Sequence, residues 1–158
     1  MAGRKDFEAE AAAIAAEIAL GEAGSVYRID DAAAAMLTRG DPACVPVLLG
    51  LLDDAPPLQQ AMWSMMHGAE SFPAPAYATG LVEALPALDR RAPEWAARLV
   101  MRTLNSVLHR PALADRLNAS PDDTVAAVRR VLARIAARDP DLFGGKVYEV
   151  VSALRDPR

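Results

Sequence analysis

Twelve prolines divide this chain of 158 residues into segments of roughly the length of a short helix. Proline suits the first turn of a helix, where its missing N–H would have no partner, but it disrupts a helix interior or a central strand. Valine and isoleucine nowhere alternate with polar residues over the length of a strand, whereas apolar residues recur at helical spacing. The pattern predicts an all-α protein whose helices are short and closely connected.

The prolines, the glycines and the apolar periodicity together place the helix ends. The predicted helices span residues 6–23, 30–39, 42–53, 57–72, 75–90, 93–109, 111–118, 121–138 and 142–154. Pro57 and Pro93 are separated by the length of one helix pair. Pro75 and Pro111 repeat that spacing, which lies near the period of helical solenoids. Segment 41–54 resembles a HEAT-repeat helix, but side chains match poorly between repeats. The prediction is a short irregular HEAT-like stack of antiparallel helix pairs, with a compact helical bundle as the alternative.

The composition indicates one folded domain over residues 1–158. Hydrophobic residues make up 53% of the chain and charged residues 24%, which is enough apolar surface to build a core. Aromatic residues contribute only 5%, so alanine and leucine must fill that core, and small side chains favour close helix packing. Within the domain, residues 1–28 are expected to form an N-terminal helix and linker, and residues 29–158 the helical stack.

The charge balance restricts the partners that the chain can bind. A net charge of −4 argues against nucleic acid as a partner and is compatible with a basic protein. The N-terminus carries acidic residues where a secretory signal would be basic, and no run approaches the about 20 apolar residues of a membrane span. A cytoplasmic protein without membrane contact is expected. The single cysteine, Cys44, lies in an apolar run and is predicted to be a buried, unreactive thiol.

The helix predicted at 57–72 has two distinct faces. Its apolar face consists of Leu58, Met62, Met65, Ala69 and Phe72. Trp63, His67 and Glu70 lie together on another side. Either the helix is buried on both sides and these three residues are structural, or they form a contact patch. His67 and Glu70 lack the further ligands of known metal motifs, so no catalytic, cofactor-binding or metal-binding residue is predicted.

The helix predicted at 93–109 carries a polar stripe. Its members are Glu94, Arg98, Arg102, Asn105 and His109. One interpretation is a solvated face with an ion pair between Glu94 and Arg98. The other is a polar network between helices, in which Arg102 and Asn105 reach Glu70 or His67. Both interpretations are open from the residues alone.

Segments 63–73, 92–96 and 102–106, together with Tyr77, resemble the bacterial immunity protein 30 family. Members are encoded beside polymorphic or contact-dependent growth-inhibition toxins. The resemblance implies a cytoplasmic, non-enzymatic protein without a cofactor. Such a protein binds a cognate toxin domain, often a nuclease, and neutralises it by covering the active site or substrate surface.

The candidate contact residues for such a partner share the two polar faces described above. They are Trp63, His67, Glu70, Arg98 and Arg102. Two other functions stay open. A HEAT-like scaffold or adaptor unrelated to toxins is supported by segment 41–54. A small metal-dependent enzyme using His67 and Glu70 would contain stoichiometric metal after purification.

Overall fold

A computed structural model describes residues 4–155, and within that range the chain forms nine α-helices and no strand. The helices are α1 (Glu8–Ala19), α2 (Val26–Thr38), α3 (Cys44–Gly50), α4 (Gln59–Glu70), α5 (Ala74–Arg91), α6 (Pro93–Leu104), α7 (His109–Asn118), α8 (Asp122–Arg138) and α9 (Pro140–Ser152). Single turns of 3-10 helix span Arg4–Phe7, Gly21–Ala23 and Pro56–Leu58. The predicted all-α class is confirmed.

The helices stack in two layers. In one layer α3, α5, α7 and α9 pack in that order; in the other, α2 packs on α4, and α6 on α8. Consecutive helices pair across the layers, as α1 does with α2, α3 with α4, and α5 with α6. This is the HEAT-like arrangement of helix pairs that the proline spacing predicts. The repeat is irregular because α5 also contacts α8.

Helix α5 lies at the centre of the stack, where it contacts helices from α3 to α8. Its close approach to α3 depends on Gly80, because a Cβ atom there would lie 2.4 Å from Val45 Cγ1 and 2.9 Å from Pro46 Cδ. The surrounding core is rich in alanine, leucine and methionine, as the composition predicts. Trp95 and Tyr77 are the largest fully buried side chains.

Helix α2 begins at Val26, earlier than the predicted start at residue 30. The Ser25 hydroxyl accepts the backbone N–H of Arg28 (3.3 Å), and the Glu17 carboxylate accepts that of Ser25 (2.8 Å). These bonds satisfy donors that the first turn of a helix leaves unpaired. The predicted boundary at residue 28, between the N-terminal helix with its linker and the helical stack, therefore falls inside the first turn of α2. The assignment of residues 1–158 to a single domain stays a prediction.

The helix predicted at 93–109 is two helices with a turn between them. Helix α6 ends at Leu104 and α7 begins at His109, where Ser106 Oγ accepts the backbone N–H of His109 (3.3 Å). Val107 and Leu108 continue the apolar period of the predicted helix, but they lie in this turn and are 74% and 71% exposed, so the predicted extension of that helix to residue 109 is wrong.

Cys44 is buried, as expected from its apolar neighbours. Burial raises the pKa of its thiol to about 11, so the reactive thiolate is scarce at neutral pH. Among residues 4–155, no helix is long and apolar enough to cross a membrane.

Candidate functional site

Helix α4 presents three of the candidate contact residues on its outer side. Met62 and Met65 turn into the core, and this orientation brings Trp63, His67 and Glu70 toward the surface. Trp63 is 37% exposed, and the side chains of His67 and Glu70 are 60% and 20% exposed. The predicted division of this helix into two faces is therefore present in the structure.

Helix α6 lies beside α4 and joins it through an ion pair. Arg102 Nε donates to Glu70 Oε1 (2.7 Å) and Arg102 Nη2 donates to Glu70 Oε2 (2.8 Å), which is the bidentate geometry that favours arginine over lysine. Glu70 raises the pKa of the Arg102 guanidinium through these bonds. His67 Nδ1 lies 3.6 Å from Glu70 Oε2 on the same helix. One of the two interpretations from the sequence was a polar network between stacked helices. The ion pair of Arg102 with Glu70 confirms that network for Arg102.

Asn105 does not take part in that network. Its Oδ1 accepts a hydrogen bond from Lys146 Nζ of α9 (2.6 Å), so Asn105 connects α6 to α9 instead of to α4. Lys146 was not among the predicted site residues. The two residues are 41 positions apart, so no local pattern in the sequence signals the contact.

Arg98 lies over two tryptophans. Its Cζ atom is 5.0 Å from the ring centroid of Trp63 and 4.5 Å from that of Trp95, both within cation–π distance. The two indole rings meet edge to face with centroids 5.2 Å apart. Trp95 is fully buried, whereas Trp63 keeps an exposed edge. Trp63 is therefore packed against the core on one side and available to a partner on the other.

Two members of the predicted polar stripe lie elsewhere. Glu94 faces α8, where Arg138 Nη2 donates to its Oε1 (3.4 Å). Of the two interpretations of this stripe, the ion pair between Glu94 and Arg98 therefore gives way to a contact between helices. His109 belongs to α7 and lies next to Ser106. The five candidate contact residues, all from α4 and α6, contact one another in sequence and form one continuous surface. We call this set the α4–α6 surface: Trp63, His67, Glu70, Arg98 and Arg102.

A cleft of about 380 Å³ opens beside the α4–α6 surface. Its wall consists of Glu70, Tyr77, Arg102, Thr103, Asn105, Ser106 and His109. The Tyr77 and His109 rings meet edge to face with centroids 5.3 Å apart. Burial, and then the charge of Glu70, raises the pKa of the Tyr77 hydroxyl far above its ordinary value, so this group stays protonated. The sequence did not single out Tyr77 or Ser106 as site residues.

The chemistry of this region favours binding. Among residues 4–155, no group of three or more His, Cys, Asp or Glu side chains is placed to hold a metal ion. The α4–α6 surface instead combines an exposed aromatic edge with two guanidinium groups held in place by their neighbours. Tryptophan and arginine are the side chains that most often dominate protein–protein interfaces.

Comparison with known proteins identifies the family of this chain. Residues 17–113 match the family model described as Immunity protein 30. The matched span is more than half of the chain, runs from the last turn of α1 into α7, and contains the whole α4–α6 surface. No curated protein and no solved structure matches the chain significantly. The chain belongs to the immunity protein 30 family.

Proposed function

We propose that this chain binds a cognate bacterial toxin domain and neutralises it by covering the toxin's active site. Membership of an immunity protein family carries the proposal. The protein acts by stoichiometric binding in the cytoplasm and needs no cofactor. We favour a nuclease as the toxin, because a net charge of −4 suits a partner whose substrate-binding surface is basic.

We place the toxin contact on the α4–α6 surface. Its charged and aromatic side chains are already held in position, by Trp95 beneath Trp63 and by Glu70 against Arg102. Side chains that are ordered before binding lose little conformational entropy when a partner arrives, which leaves more of the contact energy for affinity. The exposed edge of Trp63 and the guanidinium of Arg98 are the proposed anchors.

A rescue experiment tests the immunity function. The toxin domain encoded directly upstream is expressed in host cells with and without this chain. Growth should stop without the chain and resume with it. Toxicity that this chain does not relieve would contradict the proposal and favour the scaffold or adaptor interpretation. Digestion of DNA or RNA by the purified toxin, stopped by an equimolar amount of this chain, would establish the nuclease class separately.

Arg98→Glu tests the position of the contact. The substitution removes the guanidinium over Trp63 and reverses its charge, so it should weaken the complex by at least about tenfold and reduce rescue. Arg130→Glu on α8 is the matched control, because it makes the same charge change at an exposed arginine. The Tm of both variants should stay within a few degrees of the parent's, since a cation–π contact is worth about 1 kcal/mol. Full rescue by Arg98→Glu would place the toxin contact elsewhere.

A further inference from the structure

The cleft between α5, α6 and α7 has in its wall a buried hydroxyl group, that of Tyr77, without a hydrogen-bond partner among the described residues. Tyr77 is 1% exposed, and its hydroxyl has no hydrogen-bond partner among the residues that the structure describes. The Thr103 hydroxyl lies close enough to interact with that of Tyr77, but it donates its own proton to the Leu99 carbonyl (2.9 Å), and no hydrogen bond of ordinary length and angle joins Thr103 to Tyr77. A polar group buried in this way costs free energy until an acceptor reaches it.

His109 contributes a second unpaired group to the same wall. Ser106 Oγ accepts the backbone N–H of His109 and lies 2.7 Å from His109 Nδ1. We assign the tautomer in which Ser106 Oγ donates its proton to Nδ1 while accepting the backbone N–H, and in this tautomer the imidazole proton lies on Nε2. His109 Nε2 is buried and also has no partner among the described residues.

The charged groups at the cleft are Arg102 and Glu70 in its wall and Lys146 beside it. Arg102 uses Nε and Nη2 to bind Glu70, which is the only acidic side chain in the wall. Lys146 adds a second cation where it donates to Asn105 Oδ1, and this bond leaves the Asn105 amide group as a further donor. The cleft therefore offers hydrogen-bond donors to whatever enters it, with the Lys146 ammonium beside its wall at Asn105.

We infer that this cleft binds the carboxylate of an aspartate or glutamate of the toxin. The inference rests on the proposed function, since the cleft adjoins the surface where we place the toxin. A carboxylate accepts several hydrogen bonds and carries a single negative charge, which matches the donors in the wall and the Lys146 cation beside it. A phosphate with two charges would be repelled more strongly by Glu70 than a carboxylate is.

Calorimetric titration of the full chain with the toxin domain encoded upstream tests the inference. Tyr77→Phe removes only the hydroxyl, and we expect it to weaken the complex about tenfold. It should not lower the Tm of the free chain, because the hydroxyl makes no bond there. Tyr148→Phe is the matched control: Tyr148 is 75% exposed on α9, so losing its hydroxyl should change neither affinity nor Tm.

The outcomes separate this inference from the proposed function. If the parent chain does not bind the toxin, the carboxylate site and the proposed immunity function are both overturned. If the parent binds and Tyr77→Phe binds equally well, the carboxylate site is overturned and the immunity function stands. A Tyr77→Phe chain that melts lower but keeps full affinity would show that the hydroxyl serves the fold alone, which also overturns the site.

A double-mutant cycle identifies the ligand itself. Each acidic residue of the toxin is replaced in turn by its amide, and the change in affinity is measured with the parent chain and with Tyr77→Phe. One toxin replacement should lower the affinity about as much as Tyr77→Phe does. Combined with Tyr77→Phe, it should lower the affinity little further, because both changes remove the same bond. If the effect of every toxin replacement adds independently to that of Tyr77→Phe, no carboxylate occupies the cleft.

Discussion

Glu70 connects the two helices of the α4–α6 surface. Its two carboxylate oxygens accept both hydrogen bonds from Arg102, and one of them also lies near His67. The same side chain forms part of the cleft wall. A single carboxylate thus connects α4 to α6 and sets the position of a guanidinium that we assign to toxin binding.

Replacing Glu70 should therefore cost more than an ordinary surface substitution. We expect Glu70→Ala to lower the free energy of unfolding by about 1–2 kcal/mol, because a bidentate, partly buried, charge-assisted pair is lost. Glu94→Ala is the control: Glu94 also faces an arginine of another helix, but at 3.4 Å and with 62% of its side chain exposed. The control should change stability by less than about 0.5 kcal/mol in chemical denaturation. Equal losses in the two variants would contradict this account.

Glu17 should make the stability of the fold depend on pH. The backbone N–H of Ser25, and then the Arg28 guanidinium, lower the pKa of the Glu17 carboxyl. Since the folded-state pKa lies below the unfolded value of about 4.3, the stabilisation is complete at neutral pH. It is lost as the pH falls through the folded-state pKa, because Glu17 then binds a proton.

Glu17→Gln tests this dependence. The Tm of the variant should be lower than that of the parent at pH 7, and the difference should shrink as the pH falls below about 4. Glu22→Gln, at an exposed glutamate nearby, serves as the control and should change the Tm little at any pH. A Glu17→Gln difference that is the same at pH 7 and pH 3 would show that the carboxylate's charge is not what stabilises the start of α2.

At the level of helices, two glycines should respond to the same substitution in opposite ways. Gly80→Ala should destabilise the fold by about 1–3 kcal/mol, because the new methyl group would collide with Val45 and Pro46 of α3. Gly144→Ala, in the interior of α9, meets nothing within 4 Å and should stabilise the chain by up to about 1 kcal/mol through helix propensity. Thermal melting distinguishes the two signs. A stabilising Gly80→Ala would mean that α3 and α5 can separate at little cost.

The helix ends show where local sequence patterns stop being sufficient. Proline and apolar periodicity place every helix end but one to within a few residues, since both act within one or two turns. They fail after Leu104, where Val107 and Leu108 continue the apolar period but the chain turns. In this turn Ser106 Oγ accepts the backbone N–H of His109, the first residue of α7, so a new helix begins there. A serine within an apolar period does not by itself indicate such a turn.

For the whole molecule, α8 and α9 complete a stack whose family match ends at residue 113. Helix α8 packs against both α5 and α6, which carry Tyr77, Arg102 and Thr103 of the cleft wall. Its buried residues are Val128, Val131, Leu132 and Ile135. Each such side chain stabilises a fold by about 1.5–3 kcal/mol, against a usual total of about 5–15 kcal/mol.

A chain that ends at Ala119 should consequently fail to fold cooperatively. Circular dichroism should show no sharp thermal transition, whereas a control chain that ends at Arg155 should melt like the parent. This experiment also tests the prediction that residues 1–158 form a single domain. A shortened chain that melts cooperatively and still rescues cells from the toxin would show that α8 and α9 are an addition to an independent unit.

The sequence by itself determined the all-α class, the positions of the helices, the two faces of α4 and the family. These properties depend on residues close together in the chain or on short motifs, so they can be read without coordinates. Only the tertiary structure decided that Trp95 supports Trp63, that Asn105 bonds Lys146 and that Tyr77 lies unpaired in a cleft. Such contacts join residues tens of positions apart, and a helical period leaves open which neighbour each face will meet.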